Sequence, residues 1–143
     1  MTKTILLLYL IVLAVFDWKE QKIPLILAVG GLLAAFTLSI YKVMCNMENW
    51  RWLTVSILLG TLPGIYMLAA AYLTGKAGFG DGITLLSLGM FTNYKACILL
   101  WGISMVLMSL AAVGLLCMRR ANRNTKLPYL PFLTIAYAMG IVI

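Results

Sequence analysis

Histidine is absent from this chain of 143 residues, and only four residues are acidic. Without imidazole there is no His-based acid–base catalysis, and the commonest protein ligand for metals is missing. The three cysteines, Cys45, Cys97 and Cys117, are scattered and never spaced as CxxC. An odd, scattered set argues against a disulfide framework and against a zinc site, so we expect no metal centre.

Charge is scarce as well. Charged residues make up 10% of the chain and hydrophobic residues 64%, with a mean hydropathy of +1.03. A soluble domain is about half apolar and about a quarter charged. The composition therefore predicts an integral membrane protein, and the length allows one compact bundle over residues 1–143.

Six apolar segments follow one another and predict an all-α bundle of about six transmembrane helices. The second, third and fifth are long enough to span a bilayer. The fourth and fifth are divided at Thr92–Lys95, because one merged helix of about 37 residues would be about 55 Å long. The predicted segments are Thr4–Phe16, Ile23–Tyr41, Trp52–Leu73, Gly82–Phe91, Ala96–Met118 and Pro128–Ile143.

The first segment has features of a secretory signal, with Lys3 before the apolar run Ile5–Phe16. No small-x-small cleavage site follows, so we expect a retained first helix. The first and fourth segments are too short to span unless their helices include the adjacent Asp17 and Asp81. We therefore expect both carboxylates slightly inside the membrane surface, in a recess that water reaches.

The basic residues predict an orientation through their excess on the cytoplasmic side. Seven fall in the first, third and fifth loops and four on the opposite side, which places both termini outside and both aspartates on the cytoplasmic face. The net charge of +7 lies beside the membrane, which favours contact with anionic lipid over nucleic acid. Aromatic residues at segment ends predict an interfacial belt: Trp18, Trp50, Trp52, Tyr94 and Tyr129.

Asp17 and Asp81 are the only aspartates. A carboxylate at the edge of a bilayer is energetically costly unless it is paired or hydrated, and such residues commonly have a function. Four glycines in Gly75–Gly82 predict a loop that another backbone approaches closely. After Asp17, Ile23-Pro24 predicts the start of the second helix, because proline suits a first helical turn.

Taken together, these motifs resemble the type IV prepilin peptidases, the GxGD aspartic proteases of bacterial and archaeal cytoplasmic membranes that serve pilus assembly and protein secretion. The matching motifs are Asp17, Ile23-Pro24, Gly78–Asp81 and Pro128–Phe132. Leu25 replaces the usual Asn and Ile83 the usual Lys, which bears on substrate positioning. The resemblance implies a catalytic pair, Asp17 and Asp81, with other residues shaping loops or binding substrate: Gly78, Gly80, Gly82, Ile23, Pro24 and Lys76.

The resemblance also implies a substrate, a prepilin-like precursor with a short basic leader before an apolar helix. Two carboxylates that share a proton would activate water, so no cofactor is needed. The chain is similar to the short, core-only form of the family, which implies no N-methyltransferase activity. Three alternatives stay open: a presenilin-like or signal-peptide-peptidase-like protease, a small ion- or proton-coupled transporter, and a non-catalytic membrane scaffold. The oligomeric state is not predicted.

Overall fold

A computed structural model of the chain describes residues 2–20, 24–45, 48–75, 78–118 and 128–142. The regular structure of these residues is entirely α-helical, which confirms the predicted class. Six helices are present, one for each predicted segment: α1 (Thr2–Glu20), α2 (Leu25–Cys45), α3 (Trp50–Thr74), α4 (Phe79–Phe91), α5 (Tyr94–Cys117) and α6 (Leu130–Val142). Within the described ranges, α2, α3 and α5 are long and apolar enough to cross a membrane, as predicted.

Two helix boundaries bear on the aspartates. α1 continues through Asp17, and α4 begins at Phe79, three residues earlier than predicted. Asp81 therefore lies inside the first helical turn and not in a loop, where the macrodipole favours a negative charge. Gly75 ends α3 with a left-handed backbone, φ 61°, and its N–H donates to Ala71 O at 2.9 Å. The break between α4 and α5 covers Thr92 and Asn93, within the predicted Thr92–Lys95, and α5 begins at Tyr94, two residues earlier than predicted.

The chain divides into two compact units, and the first comprises Met1–Lys22 with Leu100–Ile143. In it α1 and α6 pack antiparallel, since the end of α1 meets the start of α6. The buried side chains of α1 recur every three or four residues and form one helical stripe. The core includes Leu6, Leu10, Leu13, Ala14, Leu130, Leu133 and Ala136.

The second unit, Ile23–Leu99, is built around the short helix α4. α4 packs antiparallel on α3 through glycines that let the two backbones approach closely. A Cβ on Gly64 would lie 2.6 Å from Leu86 Cα, and one on Gly89 would overlap the carbonyl of Gly60. Helices α3 and α4 can therefore pack this closely only because these glycines have no side chains.

Two hydrogen bonds join α2 to the carboxyl end of α4. Ser39 Oγ donates to Met90 O at 3.3 Å, and Lys42 Nζ donates to Phe91 O at 3.1 Å. Lys42 thus places a cation and a donor on the last carbonyls of α4, where the helix macrodipole is negative. The start of α5 is held to α3, because Tyr94 N–H donates to Ser56 Oγ at 3.3 Å.

Candidate active site

Asp17 lies on the buried stripe of α1, and 6% of its surface is exposed. Its Oδ2 accepts a hydrogen bond from the backbone N–H of Leu130 at 3.1 Å. A second backbone hydrogen bond comes from Tyr129. The first N–H groups of a helix have no partner within the helix. The Asp17 carboxylate therefore caps α6 from another helix, a role that local sequence patterns did not reveal.

Tyr129 differs from its predicted place in an interfacial belt. Its side chain is buried, 3% exposed, and its hydroxyl lies 2.8 Å from Ser104 Oγ of α5. The aromatic ring fills the core at the start of α6, and the hydroxyl finds a polar partner there. By contrast, Trp18, Trp50 and Trp52 are exposed on the surface of their helices.

Asp81 is the third residue of α4, and its side chain is partly exposed. Its backbone N–H donates to Gly78 O at 3.2 Å. The carboxylate folds back over Gly78, because a Cβ on Gly78 would lie 2.8 Å from Asp81 Oδ2. Gly78 has an ordinary extended backbone, φ −74° and ψ 127°. The requirement for glycine there comes from the carboxylate and not from backbone strain.

The first turn of α4 lies below the carboxyl end of α3. Gly82 packs on Leu68, since a Cβ there would lie 2.7 Å from Leu68 Cγ. α3 continues six residues beyond that contact, to Thr74, and this adds about 9 Å at about 1.5 Å per residue. Asp81 precedes Gly82 by one residue in this antiparallel pair, so the end of α3 extends about 8 Å beyond the level of Asp81.

Of the remaining predicted site residues, the structure describes Pro24 and Gly80. Pro24 directly precedes α2, and its carbonyl accepts hydrogen bonds from Leu27 N–H at 3.0 Å and from Ala28 N–H at 3.2 Å. Gly80 is helical, and its carbonyl accepts a hydrogen bond from the Thr84 hydroxyl. Ile23 and Lys76 lie outside the described residues.

Asp17 belongs to the first unit and Asp81 to the second, so their pairing stays a prediction. Sequence reasoning missed the Leu130 amide and Ser104 as neighbours of the site. The sequence could have indicated that Asp17 is buried, because Leu10, Leu13 and Asp17 are spaced so that they lie on one face of the helix. No protein-family model, curated protein or solved structure matches this chain.

Proposed function

We propose that this chain is a multi-pass membrane aspartic endopeptidase of the prepilin-peptidase type. It removes the short basic leader of prepilin-like or pseudopilin-like precursors at the cytoplasmic face of a bacterial or archaeal cytoplasmic membrane. Asp17 and Asp81 form the catalytic pair, and both termini lie on the opposite side. The helical architecture and three helices of spanning length support this proposal.

The observation that carries the proposal is the position of Asp81. An ionisable side chain sits in the first turn of α4, and by helix rise the end of α3 extends about 8 Å beyond it. A hydrolytic site within an apolar bundle needs a carboxylate, water and room for a peptide backbone in one place. The first turn of α4 supplies a partly exposed carboxylate below the end of α3, and the exposed backbone of Gly78 lies directly beside it.

The chemistry then follows from two carboxylates that share one proton. The ionised aspartate takes a proton from water while the water oxygen attacks the scissile carbonyl carbon. The protonated aspartate donates its proton to the carbonyl oxygen, which gives a tetrahedral diol. Collapse of the diol breaks the C–N bond, and a proton passes from the pair to the leaving amine.

The proposed position of Asp17 and Asp81, at the cytoplasmic face of the membrane, determines the substrate class. A basic leader would remain on the cytoplasmic side, and the apolar helix behind it would approach laterally from the lipid. Exposed apolar side chains at the start of α2 and the end of α3 suit such an approach, since Ile26 and Leu73 are 87% and 81% exposed. Anionic lipid is the expected membrane partner of the basic loops.

The test is leader removal in cells. The chain is co-expressed with prepilin-like precursors from its own source, and the precursors are followed by their mobility on a gel. The wild type should shorten a precursor, and Asp17→Asn and Asp81→Asn should each abolish the shortening. Cleavage that survives either substitution would contradict the proposal. Asn at position 17 retains an oxygen for the Leu130 amide, so this change removes the acid chemistry and keeps the cap.

One observation favours a second candidate, a non-catalytic membrane scaffold. The hydrogen bond from Leu130 to Asp17 gives this carboxylate a structural purpose that needs no catalysis. In a scaffold, Asp17→Asn would leave both folding and biological activity intact. In the peptidase it leaves folding intact and abolishes cleavage, so this single variant separates the two candidates.

A further inference from the structure

Ser104, Tyr129 and Trp101 form a buried chain of hydrogen bonds in the first unit. Ser104 Oγ donates to Trp101 O at 2.8 Å and lies 2.8 Å from the Tyr129 hydroxyl. Either hydroxyl can donate in the Ser104–Tyr129 contact, since each has one proton and can also accept.

This series of hydrogen bonds leads to Asp17, one member of the catalytic pair of the proposed peptidase. Tyr129 is followed directly by Leu130, whose N–H donates to Asp17 Oδ2 at 3.1 Å. Ser104 is fully buried and Tyr129 nearly so. A buried hydroxyl that lost its partner would have no water to replace it, so the contact is costly to break. A side chain of α5 therefore fixes the residue next to the amide that binds Asp17.

We propose that Tyr129 is a positioning residue for Asp17. Through Ser104, its hydroxyl holds the first turn of α6 in place, and that turn orients the Asp17 carboxylate. The orienting step needs only the observed hydrogen bonds, whereas its catalytic consequence rests on the proposed peptidase function. Tyr129 itself touches neither water nor substrate in this scheme.

Amide hydrogen exchange at Leu130 tests the orienting step without any activity. The full chain is measured by NMR in detergent micelles, and Tyr129→Phe removes only the hydroxyl. Tyr137→Phe is the matched control, since it makes the same change at a buried position of the same helix. Exchange at Leu130 should become about fivefold faster in Tyr129→Phe, the value expected for the loss of one hydrogen bond.

The control should leave Leu130 exchange within about twofold of the wild type. Ser104→Ala should accelerate exchange as Tyr129→Phe does, and the double variant should add nothing further, because both remove one hydrogen bond. Equal acceleration by Tyr129→Phe and Tyr137→Phe, or none by Tyr129→Phe, would overturn the proposal.

Cleavage kinetics test the catalytic consequence. Below the unfolding temperature of every variant, Tyr129→Phe should lower kcat about tenfold with KM within about twofold, because orientation matters to the reacting geometry. Tyr137→Phe should leave both constants near the wild type. An unchanged kcat in Tyr129→Phe would overturn the positioning role. A wild type that cleaves no precursor, together with faster Leu130 exchange in Tyr129→Phe, would refute the peptidase and support the orienting step alone.

Discussion

The Asp17 carboxylate, near the end of α1, accepts a hydrogen bond from the Leu130 amide at the start of α6, with an Oδ2–N distance of 3.1 Å. This contact joins residues that are 113 positions apart in the sequence. It gives Asp17 a structural role beside its proposed catalytic one. The two roles need different properties of the side chain, an acceptor oxygen for the first and an ionisable group for the second.

Substitutions of Asp17 should therefore separate stability from activity. Asp17→Ala leaves the Leu130 amide buried without its acceptor and should lower the free energy of unfolding by about 1–3 kcal/mol. Asp17→Asn keeps an acceptor and should cost less than about 1 kcal/mol, as Asn and Asp cap helices similarly well. Unfolding in detergent micelles measures both. Equal losses of stability in the two variants would contradict the capping role.

Gly78 should matter for activity more than for stability. Gly78→Ala adds a Cβ 2.8 Å from Asp81 Oδ2 and must move the carboxylate. The backbone at Gly78 suits alanine, so the unfolding free energy should change by less than about 0.5 kcal/mol. Leader cleavage should fall about tenfold or more, because catalysis is sensitive to small misplacements.

Gly30→Ala is the control for this test, since a Cβ on Gly30 has nothing within 4 Å. This helical substitution should leave cleavage unchanged. If Gly78→Ala cleaves as fast as Gly30→Ala, the observed orientation of Asp81 is not the one that catalysis uses.

The glycines between α3 and α4 should dominate the stability of the second unit. Gly89→Ala would drive a methyl group into the Gly60 carbonyl and should destabilise the chain by about 1–3 kcal/mol. Gly102→Ala in α5 meets no atom within 4 Å and should be neutral or slightly stabilising. Thermal unfolding of the two variants compares them directly. A Gly89→Ala variant as stable as Gly102→Ala would show that the helices are not in close contact there.

Lys42 should support the end of α4. Lys42→Met removes the hydrogen bond to Phe91 O and should lower the unfolding free energy by about 1 kcal/mol. Lys95→Met is the comparison, since Lys95 is exposed and its Nζ lies 6.0 Å from the Tyr94 ring. That variant should lose no more than about 0.5 kcal/mol. Similar losses in both variants would remove the case for a specific cap.

The six helices were predictable because each contains its own apolar run. The start of α4 was placed three residues late, since the glycines around Asp81 indicate a loop locally. Packing on α3 stabilises a helix there, and this packing is what the glycines permit. Tyr129 was assigned to the interface because it lies at a segment end. Its buried hydroxyl contacts Ser104, 25 positions away, and no local pattern reports such a contact.

The central claim is that Asp17 and Asp81 act as one pair, and its most direct test is the cleavage rate of the purified, liposome-reconstituted chain. Four proteins are compared on one prepilin-like precursor: the wild type, Asp17→Asn, Asp81→Asn and the double variant. Groups that act as a unit are strongly non-additive. Each single variant should lose at least about 1000-fold in rate, and the double variant should lose no more than either. A single variant that keeps about a tenth of the wild-type rate, or losses that multiply in the double variant, would contradict the pair.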